Sequence, residues 1–320
     1  MSLYFYIAIF LLSFCFLVRA GSDLVRSLTR LARFLQISEY ILAFVLMSFA
    51  TTIPELFVGI SSAIEEVPRL SLGNIIGANF INITLVIGIV AFLNKGIKIE
   101  SKISQKNFWI IFFIALFPIF LATDGVISRG DGFLLIFAFL LYLISLLREK
   151  EYFSKSIIEI ENNNHRISDV FKLMGRFVLG ISILLASSVA LVWSGKYLIL
   201  ETGLNTLTFG IIFVALGTTL PELAFGVRAS MLKHSSMSIG NAIGAIAFNS
   251  AFIIGLVSII SPIQIDGGES FFIAAAFLVT ALFLLNVFVY TRSNISRRES
   301  VILILLYFFF LLTQYFFYIV

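Results

Sequence analysis

Little in this chain suits a life in water. Of its 320 residues only 12% are charged, against about 25% in soluble proteins. That deficit excludes a soluble globule, a disordered chain and a nucleic-acid-binding module together. Cysteine is nearly absent: Cys15 is alone, inside an apolar stretch, so one chain can form neither a disulfide nor a thiolate metal centre. The two histidines, His165 and His234, lie in polar links and read as solvated loop residues. No H-E-x-x-H, histidine pair or Ser–His arrangement falls within the apolar segments, which argues against an enzyme.

Hydrocarbon dominates instead. The chain is 60% hydrophobic, has a mean hydropathy of +1.06 and carries 36 phenylalanines. Such a sequence belongs in a bilayer. Its net charge of +4 and pI near 9.2 therefore report on membrane topology. No basic residue precedes the first apolar run, so that run is expected to be a retained helix and not a secretory signal.

Apolar stretches of spanning length, about 17–25 residues, occur near 3–18, 38–64, 70–93, 107–123, 132–147, 173–193, 205–230, 236–261, 271–290 and 301–319. The expected fold is thus an all-α membrane protein with ten transmembrane helices. Alternate links hold nineteen of the twenty-two Lys and Arg residues; the others hold only Arg69, Arg129 and Lys196. By the positive-inside rule both termini face outward from the cell (plasma) membrane, and the basic links face the cytoplasm. Residues 148–172 are polar, with Asn162, Asn163 and Asn164 in a row, and read as a cytoplasmic linker too short for a folded domain.

A shift of 167 residues superimposes 51–88 on 218–255 without a gap, with fifteen of 38 positions identical. The matches are mainly polar, Gly or Pro: Thr51/Thr218, Thr52/Thr219, Pro54/Pro221, Glu55/Glu222, Gly73/Gly240, Asn74/Asn241, Gly77/Gly244 and Asn82/Asn249 are among them. Each half, 1–147 and 173–320, holds five spans. An odd number inverts the second half, so the expected architecture is two inverted-topology five-helix repeats, with ion sites near the midplane where they meet.

Glu55 and Glu222 are the two acidic residues expected about midway along a span. A carboxylate there must meet a cation, a proton or a fixed donor, and no basic residue lies at that depth. Pro54 and Pro221 remove backbone donors, so carbonyls near 48–51 and 215–218 should be freed as oxygen ligands. Thr51 and Thr52 precede Glu55 by four and three residues, on its helix face; Thr218 and Thr219 stand likewise to Glu222. The pooled ligands are all oxygen, with no sulfur or imidazole. This suits Ca²⁺, which takes 6–8 oxygens at about 2.3–2.6 Å, better than zinc or copper. Two glutamates balance one divalent ion or two monovalent ones. Empty, the pair is costly in an apolar cavity, which favours exchange over uncoupled flux. A cation channel is the reading from another class, but channels usually build filters by symmetry among subunits or from a re-entrant loop.

At these residues the chain resembles the calcium:cation antiporter superfamily, specifically the prokaryotic sodium/calcium exchanger type. The duplicated T-T-x-P-E and G-N-x-x-G-x-x-x-x-N segments are similar to its α-repeats, and the resemblance extends over essentially the whole chain. It implies Ca²⁺/Na⁺ exchange by alternating access without a cofactor, in a protein expected to function as a monomer. Glu55 and Glu222 would be central ligands, Thr51, Thr52, Thr218 and Thr219 would line the ion sites, and Asn82 and Asn249 would complete the cluster. The carbonyls near Ser48 and Ala215 are further implied ligands. Family members commonly carry serine at Ala78 and Ala245, where it helps hold Na⁺, and some carry Asp at Asn249. Ala50 and Ile246 replace the more usual Gly and Asn. These departures make Ca²⁺/H⁺ exchange the alternative.

Overall fold

The computed structural model describes residues 3–34, 47–98, 102–148, 167–231, 235–265, 269–292 and 294–318. Helices dominate, as the apolar composition requires, because a backbone in hydrocarbon must satisfy its own hydrogen bonds. The long ones are α1 (Leu3–Phe34), α2 (Ile53–Ile64), α3 (Pro68–Ile81), α4 (Lys102–Leu121), α5 (Arg129–Arg148), α6 (Ile167–Thr202), α7 (Leu220–Met231), α8 (Ser235–Ala247), α9 (Glu269–Arg292) and α10 (Arg297–Tyr318). Six helices among the described residues are long and apolar enough to cross a bilayer. A seventh forms if Thr206–Thr218 and Leu220–Met231, bent by 41°, make one span. The segments 53–64 and 108–124 are apolar but shorter, and the expected 38–64 span begins outside the described residues.

Two helices outrun their expected spans. The run 3–18 sits within the 32-residue α1, and 173–193 within the 36-residue α6. At 1.5 Å per residue these are about 48 and 54 Å long, more than a hydrocarbon core of about 30 Å. Arg19 therefore lies on helix, 3.3 Å from Asp23 one turn on, and the linker expected over 148–172 gives way to helix at Ile167. His165 and His234 lie outside the described residues.

The two long helices pack along one another. Tyr6 stacks on Tyr197 at 4.6 Å between ring centroids, Trp193 tilts against Tyr6 at 5.5 Å, and Leu17, Leu184, Leu191 and Val192 are buried between them. A larger core surrounds α3 and α8, where Phe80 meets Tyr307 and Phe310 of α10.

Two short antiparallel ribbons clasp the bundle. β1 (Gly96–Lys98) pairs with β4 (Asn294–Ser296), Gly96 opposite Ser296; β2 (Val126–Ile127) pairs with β3 (Ile263–Gln264), Val126 opposite Gln264. The first ribbon joins two links rich in lysine and arginine, the second two that are not. Strand pairing thus groups the links as the charge count does.

Candidate ion site

The helix breaks come first, because they place everything else. Ser48–Thr51 and α2 are separated at Thr52, and Ala215–Thr218 and α7 at Thr219. Pro54 and Pro221 follow each break and have no N–H for the carbonyls of Ala50 and Gly217. Both breaks converge on α1: a side-chain carbon added at Gly21 would stand 3.1 Å from Pro54 Cγ and 3.3 Å from Pro221 Cγ. A larger residue there would push the two breaks apart.

Past α3 and within the α8 span, helical geometry loosens. Asn82–Val86 and Phe248–Ile253 are π-helical turns, each opening at or next to a candidate ligand, Asn82 or Asn249. Such turns favour functional sites because they rotate side chains out of the α-helical register. The first turn packs on α7, which carries Glu222, and the second on α2, which carries Glu55. Each asparagine therefore belongs to an element lying against the other half's glutamate helix.

The same crossing repeats in atomic detail. Thr218 Oγ1 donates to Asn74 Oδ1 at 2.9 Å, and Thr51 Oγ1 donates to Asn241 Oδ1 at 3.3 Å. A carbon added at Gly59 would meet Ile253 and Val257, and one added at Gly226 would meet Val86 and Val90. These contacts map onto one another under the 167-residue shift. Close approach is what the small residues permit: a methyl at Gly73 would collide with the Leu207 carbonyl, and one at Gly77 would lie 2.6 Å from Ala215 Cβ.

Glu55 and Glu222 are fully buried, the only charged residues so buried among the described ones. The segment Ala215–Thr218 packs against α2, which carries Glu55, and Ser48–Thr51 packs against α7, which carries Glu222. Among the described residues none of their four oxygens has a hydrogen-bond partner in proper geometry, and no cationic side chain pairs with either. Two desolvated carboxylates, one from each half and without a donor, constitute an unmet demand for positive charge. No group of three or more His, Cys, Asp or Glu occurs among the described residues, so neutral oxygens must supply most of any cation's shell.

The structure brings Thr51, Thr218, Glu55 and Glu222 together, and buries Thr52, Thr219, Asn82 and Asn249 completely or to 1% exposure. Both amide atoms of Asn82, and Oδ1 of Asn249, lack partners among the described residues. Ser48 and Ala215 stand differently. The Ser48 carbonyl accepts from Thr52 N at 3.1 Å and Thr52 Oγ1 at 2.7 Å. The Ala215 carbonyl accepts from Thr219 N at 3.1 Å and also from Thr219 Oγ1. Each must release a threonine hydroxyl before taking a cation, and Thr52 and Thr219 spend their protons closing the breaks.

Two participants escaped the sequence reading. Asn79 and Ser250 are buried and hydrogen-bonded to each other at 2.7 Å, and Asn249 bonds to Asn79 at 3.1 Å. Their counterparts across the repeat are Ile246 and Ile83, so a search for matched residues passes over them. The signal for Asn79 lay in its counterpart Ile246, which stands where Asn is more usual; that for Ser250 was a polar side chain within an apolar span.

The model of the sodium/calcium exchanger protein family matches residues 5–148 and 172–316, nearly the whole chain. The chain belongs to this family. Among curated relatives, it is 28% identical over 297 residues to a putative antiporter, CaxA, of Alkalimonas amylolytica, covering 89% of this chain and 91% of that one. It is 27% identical to the sodium/calcium exchanger MaX1 of Methanosarcina acetivorans, covering 92% and 94%. Among solved structures it resembles the sodium-calcium exchanger NCX_Mj soaked with Na⁺ and Sr²⁺, with a TM-score of 0.67, 25% identity and coverage of 96% and 98%. As a prokaryotic-type member of the exchanger family, the chain is a multi-pass membrane antiporter and a transporter rather than an enzyme.

Proposed function

We propose that this exchanger moves Ca²⁺ against Na⁺ by alternating access, at a mid-membrane site of oxygen ligands. Glu55 and Glu222 supply the charge. Thr51, Thr218, Asn82 and Asn249 supply neutral oxygens, and Thr52, Thr219 and the carbonyls of Ser48 and Ala215 rearrange to complete the shell. The architecture is ten helices in two inverted repeats, 1–147 and 173–320, with both termini outside and the chain working as a monomer. One observation carries this reading: two fully buried carboxylates, one from each half, with no cationic partner among the described residues. Only a travelling ion balances them, so the empty carrier reorients poorly and flux in one direction is tied to flux in the other.

A second reading, Ca²⁺/H⁺ exchange at the same glutamates, is favoured by Ala78 and Ala245. Both are fully buried on the helices flanking the site, and neither offers a hydroxyl to sodium. Uptake of ⁴⁵Ca²⁺ into proteoliposomes, driven separately by a Na⁺ gradient and by a pH gradient, decides between them. Calcium flux indifferent to sodium overturns the first reading, and flux that needs no counter-ion overturns both in favour of a channel.

A further inference from the structure

The two halves are not equivalent at the asparagines, although Asn82 and Asn249 occupy matching positions. Asn249 Nδ2 donates to Asn79 Oδ1 at 3.1 Å, and Asn79 Nδ2 donates to Ser250 Oγ at 2.7 Å. All three side chains are at most 1% exposed. This chain of bonds uses the nitrogen of Asn249 and leaves its Oδ1 buried with no partner among the described residues, on the π-helical turn packed against the Glu55 helix. Across the repeat the corresponding positions are Ile246 and Ile83, which can neither donate nor accept. Asn82 accordingly has neither amide atom bonded among the described residues.

We propose that Asn79 is a positioning residue that fixes the Asn249 amide with its oxygen toward the cation, while Asn82 remains free to turn. An amide presents an acceptor on one side and two donors on the other. Rotated by half a turn, it would aim N–H groups at a Ca²⁺ ion and repel it. Fixing the rotation removes that possibility and the entropy of searching for the right one, as preorganisation does in any binding site. Asn82 lacks the lock, since neither of its amide atoms is bonded among the described residues. Ligand binding is thus divided between a fixed arm on the second repeat and an unfixed arm on the first.

This inference rests on calcium binding at Glu55 and Glu222, and its test is separable from theirs. Asn79→Ile copies the residue found in the other half. It is expected to raise the KM for Ca²⁺ about three- to tenfold, the scale of one lost buried hydrogen bond, with the maximal rate retained. In an Asn249→Ala background the same change should add nothing, because its effect passes through Asn249. Asn79→Asp keeps the acceptor for Asn249 Nδ2 with the same shape, and should hold KM at or below the native value; it also serves if the isoleucine variant does not fold. An unchanged KM in Asn79→Ile, an effect additive with Asn249→Ala, or a raised KM in Asn79→Asp overturns the inference while leaving the glutamate site standing. Absence of calcium transport in the native chain instead removes the reading on which it rests.

Discussion

The hydroxyl of Thr218 is bonded to the side chain of Asn74, 144 positions earlier, at 2.9 Å and out of reach of solvent. The bond ties the helix break of one half to the small-residue helix of the other. It also commits the hydroxyl proton, which leaves the oxygen as an acceptor only. Thr218→Val preserves shape and strands Asn74 Oδ1 in the interior, which costs about 1–3 kcal/mol. The variant should melt at a lower temperature in detergent and show a higher KM for Ca²⁺. Asn74→Leu should weaken it similarly, and the double variant should lose less than the sum of the two. Thermal melting with and without Ca²⁺ measures both effects.

Helix crossing near the site leaves no room for side chains. Gly73→Ala places a methyl into the backbone carbonyl of Leu207, and Gly77→Ala crowds Ile211 and Ala215. Backbone cannot swing aside as a flexible side chain can, so each change should cost about 1–3 kcal/mol, read as a lower yield of monodisperse protein and an earlier melt. Gly175 lies on α6 with nothing within 4 Å of an added carbon. Gly175→Ala should be neutral or slightly stabilising, as alanine is the better helix former.

The two ribbons fix which links share a side of the membrane. In a Cys15→Ser background, Lys98→Cys with Asn294→Cys should cross-link through a short bifunctional reagent, since these positions are paired across β1 and β4. Val126→Cys with Gln264→Cys should do the same across β2 and β3. A membrane-impermeant maleimide should block the first pair only from the cytoplasmic face and the second only from the outside. Labelling of both pairs from one face contradicts the inverted arrangement.

Much of this was legible in the residues themselves. Identity under a 167-residue shift selected Pro54, Glu55, Asn74 and their counterparts, because polar residues in an apolar span persist only when something holds them there. Other features left no such trace. The extent of α1 and α6 leaves no mark in hydropathy, which registers only the part of a helix that sits in hydrocarbon, and helix continues through Arg19 and Asp23 regardless. The π-helical turns at Asn82 and Phe248 have no residue signature. The carbonyls of Ser48 and Ala215 looked free from proline spacing, but Thr52 and Thr219 fold their own hydroxyls back onto them. Asn79 and Ser250 have no polar counterpart in the other half, so identity between the repeats does not mark them.

The most direct test is ⁴⁵Ca²⁺ uptake into proteoliposomes under an opposing Na⁺ or proton gradient, for the native chain beside Glu55→Gln and Glu222→Gln. Glutamine keeps the volume and removes the charge, so both variants should express, insert and melt normally. The account predicts gradient-dependent uptake in the native protein and none above background in either variant. Normal uptake by either one would show that its carboxylate does not carry the ion.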